Sequence, residues 1–182
     1  MSLISRLTAA FQAIGSDVKT RPTHEEMLAA IDNARPRIYK QLDTVDRSYS
    51  TSWADGFITN RVTIRDGWAV GLHYELPCRN NYTNWGGGYA ELQYSVNGSN
   101  WRSFATSGTQ LAMGRSAGII RTDTRSFLLM RSQLKAPAEG DFTIQFKMRH
   151  RSYQGTLFIN KSRGTAAAEF ASLFIINETK FQ

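Results

Sequence analysis

The hydrophobic period of this chain changes near Ser50. Before it, apolar residues recur at intervals of three and four; after it, they alternate with polar ones. The first spacing lines one side of a helix and the second lines one face of a strand. The sequence therefore predicts a helical segment over residues 1–49 and a β domain over residues 50–182.

Ile4, Leu7, Phe11, Ile14 and Val18 form the narrow seam along which helices wrap around one another. Ser2 can cap its start. Two heptads are too short to be stable alone in water, so the seam needs copies of itself or a socket in a larger assembly. The helix should stop before Pro22, because proline disfavours helical geometry in the preceding residue. Thr23-His24-Glu25-Glu26 then reads as a capping box opening a second helix. Its seam is predicted as Leu28, Ile31, Arg35, Ile38, Leu42 and Val45, with a kink or break at Pro36. The oligomerisation and anchor set is thus Ile4, Leu7, Phe11, Ile14, Val18, Leu28, Ile31 and Ile38. A helical hairpin packed on the chain's own β domain is the competing arrangement. The narrow seam and the complete strand pattern favour self-association, giving a short coiled-coil stalk.

Predicted strands are Phe57–Ile64, Trp68–Leu76, Tyr89–Val96, Trp101–Phe104, Ile119–Thr122, Phe127–Gln133, Phe142–Arg149, Gly155–Asn160 and Ser172–Phe181, with turn-rich segments between them. Val96-Asn97-Gly98-Ser99 carries the Asn-Gly pair of a tight antiparallel turn. Phe142 to Arg149 alternates apolar and polar residues almost without fault. Leu173-Phe174-Ile175-Ile176 is apolar on both faces, so it is read as central in a sandwich or buried again between subunits. On the second reading Phe174 and Ile176 join the oligomerisation set. The fold class is mainly β: an antiparallel jelly-roll-like sandwich preceded by N-terminal helices.

Composition excludes several classes. No apolar run reaches the ~20 residues that cross a bilayer, and the N-terminus lacks the apolar stretch and cleavage site of a signal peptide. No membrane insertion is expected. The single cysteine, Cys78, cannot form an intramolecular disulfide and fits synthesis in a reducing cytoplasm. Net charge is +7, and between Arg102 and Arg163 eleven Lys/Arg stand against three Asp/Glu. Such a head attracts anionic surfaces. No aromatic-basic signature of a known nucleic-acid module accompanies it, so no specific nucleic acid is expected.

Catalysis needs a nucleophile, a base and an orienting group, and no motif joins them. His24, His73 and His150 are scattered, and His73 with Cys78 is too poor a pair to hold a metal. The expectation is no enzyme, no cofactor and no metal. The loop Asn80–Tyr89 is the candidate ligand site. Tyr82, Trp85 and Tyr89 suit sugar rings, Asn81 and Asn84 suit hydroxyls, and three glycines let the backbone adapt. A wide turn covering the sandwich edge is the blander alternative. Four Asn-x-Ser/Thr sequons, at Asn81, Asn97, Asn160 and Asn177, are read as chance.

Two segments carry a resemblance. Leu7 to Lys19 (LTAAFQAIGSDVK) resembles N-terminal segments of bacteriophage fibre and minor structural proteins. Leu157 to Ala166 followed by Phe174 to Glu178 resembles the end of trimeric C1q/tumour-necrosis-factor-like jelly rolls found as heads of phage fibres. The resemblance implies a structural virion protein that is a homotrimer. It would be a head fibre, tail fibre or decoration on the capsid exterior, anchored by its N-terminus to capsid or tail proteins. A tail-associated protein for host attachment, binding a receptor or a host surface glycan, is the alternative. Either would be made in the host cytoplasm and reside in the virion. Arg35 and Pro36 depart from a continuous stalk and favour a short, bent neck.

Overall fold

A computed structural model describes residues 3–20, 22–82, 87–104, 109–111, 121–161 and 170–180, and the side chains of 3, 13–20, 109–111 and 121 lie outside that description. The chain divides into two compact units, Met1–Pro36 and Arg37–Gln182.

The first unit holds α1 (Leu3–Thr20) and α2 (His24–Ala34). Thr23 caps α2 as predicted: its Oγ1 accepts the Glu26 backbone N–H at 3.1 Å, and the Glu26 carboxylate accepts the Thr23 N–H at 2.6 Å. Arg35 at the C-cap is extended (φ −83°, ψ 137°), as a residue preceding proline must be, so the helix ends there. This corrects the seam predicted beyond Pro36. Ile38, Leu42 and Val45 are not helical; Ile38–Asp43 is a strand, β1.

The second unit is built of strands. After β1 come β2 (Arg47–Tyr49), β3 (Ala54–Ile58), β4 (Val62–Ile64), β5 (Trp68–Asn80), β6 (Gly88–Val96), β7 (Arg102–Ser103) and β8 (Thr109–Leu111). The remainder are β9 (Arg121–Leu129), β10 (Phe142–Ser152), β11 (Leu157–Ile159) and β12 (Ser172–Lys180). These strands pair antiparallel. In one sheet β12 and β11 follow one another along one side of β5, β9 runs along the other, and β1 and β2 flank β12 and β11. In the second sheet β10 lies between β3/β4 and β6, with β7 and β8 beyond β6.

Among the described residues, the twelve segments thus occupy eight strand positions. Numbered along the chain, the positions order 1-8-3-6 in one sheet and 2-7-4-5 in the other. Every connection but one crosses between sheets, which is the jelly-roll arrangement. The exception is the β6–β7 hairpin, where Asn97 (φ 50°) and Gly98 (φ 74°) form the predicted turn.

The core fills the space between the sheets in two clusters. One gathers Val62, Ile64, Trp68, Val70, Leu72, Phe142, Ile144 and Phe146, and the other Tyr74, Leu76, Cys78, Met148, Leu157 and Phe174. Phe174 and Ile176 are 1% and 0% exposed, so they belong to this interior and not to an outer face. That is a second correction. The apolar run on β12 serves two environments, because Phe174 and Ile176 point inward while Leu173 and Ile175 lie half-buried on the other face.

Polar clamps close the sandwich. Glu178 shares the inward row of β12 and accepts hydrogen bonds from the backbone N–H groups of Arg37 (3.1 Å) and Arg65 (2.9 Å), and from the Arg65 guanidinium. Burial raises its carboxyl pKa, but these donors and the Arg65 charge outweigh that and leave it below the ordinary value. Asn160, in left-handed geometry (φ 61°), donates to the Asp43 carbonyl at 2.7 Å and accepts from Ser172 at 2.8 Å. Asp43 in turn pairs with Arg47.

Candidate functional site

Strand β10 alternates strictly. Ile144, Phe146, Met148 and His150 face the core, which turns Gln145, Lys147, Arg149 and Arg151 to the outer face of their sheet. Three cations two residues apart would repel one another on a bare strand. Neighbouring strands supply carboxylates for two of them. Lys147 Nζ lies 3.2 Å from Asp55, and Arg149 lies 3.1 Å from both Asp55 and Glu91. Ser103 donates to the other Glu91 oxygen, which fixes that carboxylate in place.

Arg151 differs. Among the described residues no carboxylate pairs with it. Its guanidinium carbon lies 5.1 Å from the ring centroid of Trp53 and 4.7 Å from that of Tyr89. The positive charge is held by two aromatic faces instead of an anion. Its Nε is buried and has no hydrogen-bond partner among the described residues. Tyr153 meets Tyr89 edge-on, with centroids 6.3 Å apart, and is 56% exposed. Lys147 rests over Trp101 at 4.8 Å. The result is a face of rings and guanidinium groups with carboxylates at its flank.

The backbone beneath is tightly set. A Cβ on Gly56 would lie 2.7 Å from the His150 ring and 2.9 Å from the Tyr49 hydroxyl, so only glycine lets β3 approach β10 here. His150 is buried against Tyr49, with ring centroids 4.9 Å apart. Burial, helped by the charge of Arg47, drives its pKa down to about 3, so the imidazole beneath this face is neutral.

The loop singled out from sequence divides. Tyr89 belongs to the face just described. Asn81 Oδ1 accepts the Thr156 N–H at 2.7 Å, so that oxygen already has a structural partner. Asn80 is buried and donates to Gly87 and Gln154, which pins the ends of the loop. Tyr82 is 37% exposed. Asn84 and Trp85 lie outside the described residues. Trp53 and Tyr153 were missed in sequence. No spacing rule links Trp53 to Arg151; only the β3–β10 pairing brings them together.

The anchor residues on the helices are exposed: Ile4 by 77%, Phe11 by 70%, and Leu7, Leu28 and Ile31 by about half. The side chains of Ile14 and Val18 lie outside the described residues. Ile38 is exposed too, on β1.

Across β5, His73 and Cys78 fall on opposite faces, so they cannot share a metal. Burial pushes the Cys78 thiol up to about 12. His73 instead sits between Ser126 Oγ (2.8 Å) and Glu75 (3.3 Å), a hydroxyl–imidazole–carboxylate string on the outer face of the other sheet. Both contacts lie at a partly exposed position of the strand.

Strand order and core define the class: an antiparallel β sandwich of jelly-roll type. No protein-family profile and no curated protein matches the chain. Among solved structures it is similar to the infectious bursal disease virus VP2 subviral particle, at 13% identity over 82% of this chain and 39% of that one, with a TM-score of 0.40. It is also similar to the infectious bursal disease virus Gx strain structure (14% identity, 80% and 36% covered, TM-score 0.38). A third is the exo-β-1,3-galactanase of Phanerochaete chrysosporium with galactose (15% identity, 80% and 30% covered, TM-score 0.26). The chain spans less than two-fifths of the length of each. With TM-scores below 0.5, these likenesses carry no functional weight.

Proposed function

We propose that this chain is a structural protein of a bacteriophage particle, a homotrimeric fibre or decoration on the capsid exterior, attached through its N-terminal helices. The exposed apolar seam of those helices carries the reading. Ile4 and Phe11 are largely exposed and Leu7, Leu28 and Ile31 about half exposed, and fully covering a large apolar side chain gains roughly 1.5–3 kcal/mol, less for those already half covered. Both core clusters of the sandwich are closed by residues from Tyr39 onward, so the sandwich needs no helical cover, which favours burial of the seam by other molecules. The phage assignment rests on the resemblance of Leu7–Lys19 to fibre segments. Catalysis has no part in the role.

Light scattering on the purified chain tests it. The expected mass is three times 20.5 kDa. A monomer at micromolar concentration would overturn the assembly. A second reading, a tail-associated protein for host attachment, is favoured by the aromatic-cationic face around Arg151. In that role the same chain would bind a host surface glycan.

A further inference from the structure

We propose that the outer face around Arg151 is a binding site for an acidic saccharide, with a sugar ring on Tyr153 and its carboxylate on the Arg151 guanidinium. This rests on the host-attachment reading and names the ligand class.

Charge complementarity is the first argument. Of the three cations that β10 presents, Lys147 and Arg149 are matched by Asp55 and Glu91. Arg151 keeps its charge against the faces of Trp53 and Tyr89, with no carboxylate partner among the described residues. A guanidinium is always charged and presents a planar fork that fits a carboxylate. One uncompensated cation calls for one anionic group in each bound unit.

Surrounding groups select the rest of the ligand. Tyr153 is 56% exposed and stands edge-on to the ring that supports Arg151. A phenol ring can take the C–H face of a pyranose while its hydroxyl stays in water. Asp55 and Glu91 retain lone pairs that can accept hydroxyl protons. Asp55 and Glu91 also cancel two of the three cations, so the face presents a single unmatched charge and not the row of cations that a phosphodiester backbone neutralises. The chemistry is that of a polyhydroxylated ring with a single carboxylate, a hexuronate or a sialic acid.

Isothermal titration calorimetry on the full chain tests the assignment with oligogalacturonate, oligosialic acid and hyaluronan oligosaccharides, using dextran oligosaccharide as the neutral control. At least one acidic probe should bind, and dextran should not. Arg151→Gln should weaken that binding at least tenfold with an unchanged melting temperature, and raising salt from 50 to about 300 mM should weaken it further. Tyr153→Ala, at an exposed position, should do the same without depending on Arg151 for its fold. Dextran binding as tightly as the acidic probes overturns the acidic class but leaves glycan attachment standing. Binding of no saccharide overturns both. Equal competition by a single-stranded oligonucleotide, or unchanged affinity in both variants, also overturns the site.

Discussion

At the scale of single residues, the acid side of the pH response is set by His150 and Glu178. The imidazole of His150 stays neutral in the folded chain down to about 3, whereas the unfolded chain protonates near 6.5. Between those values the unfolded state binds the extra proton, so stability falls as pH is lowered through that window. Glu178 acts in the same direction. Its folded carboxyl is lowered, so its contribution is present above the ordinary carboxylate value and is lost as pH falls through the folded one. Denaturant midpoints should therefore decline steadily from pH 7 to pH 4. In an NMR titration, His150 should show no inflection above pH 5; an inflection near 6.5 would mean that the ring is not buried against Tyr49. Cys78 gives a second check. With its thiol pushed to about 12 and its side chain buried, it should resist a thiol reagent at pH 8 and react fully in guanidinium.

At the scale of elements, the capping box, the Asn-Gly hairpin and the alternation of β10 were all legible, because each is decided by residues adjacent in sequence. β1 was not. Leu28, Ile31, Ile38 and Leu42 continue a three-four spacing, yet Ile38 and Leu42 also satisfy an even-residue alternation with Lys40. Pairing with β12 decides between the two, since Tyr39 and Gln41 lie opposite Ile176 and Phe174 on the half-buried side. Ile38→Lys with Leu42→Lys should leave the melting temperature within about 2 °C, because both side chains are more than half exposed. Phe146→Ala on β10 should cost about 3–5 kcal/mol in chemical denaturation, because its ring is fully buried. A large loss in the first variant would place β1 in the opposite register.

At the scale of the whole molecule, the proposed function divides between an assembly seam and a ligand face. Leu7→Asp combined with Ile14→Asp should yield a soluble chain with an intact β far-UV spectrum that no longer sediments as an oligomer and no longer joins particles. Normal incorporation of this variant would remove the anchoring role of α1. The candidate face was half legible. Tyr89 stood out in the candidate loop, and Lys147, Arg149 and Arg151 lie in the basic stretch between Arg102 and Arg163 that is read as attracting anionic surfaces. The contribution of Trp53 and the isolation of Arg151 among three cations depend on which strand lies beside β10, and no local pattern encodes that.

By itself, the sequence determined the second helix's cap, the tight turn and the mainly β class, because backbone dihedrals and side-chain period are fixed by near neighbours. Tertiary structure alone decided that β1 is a strand, that Phe174 and Ile176 are core, and that Arg151 is the cation on β10 with no carboxylate partner among the described residues. Each of these depends on a partner far along the chain, and such contacts are chosen by the packing of two sheets.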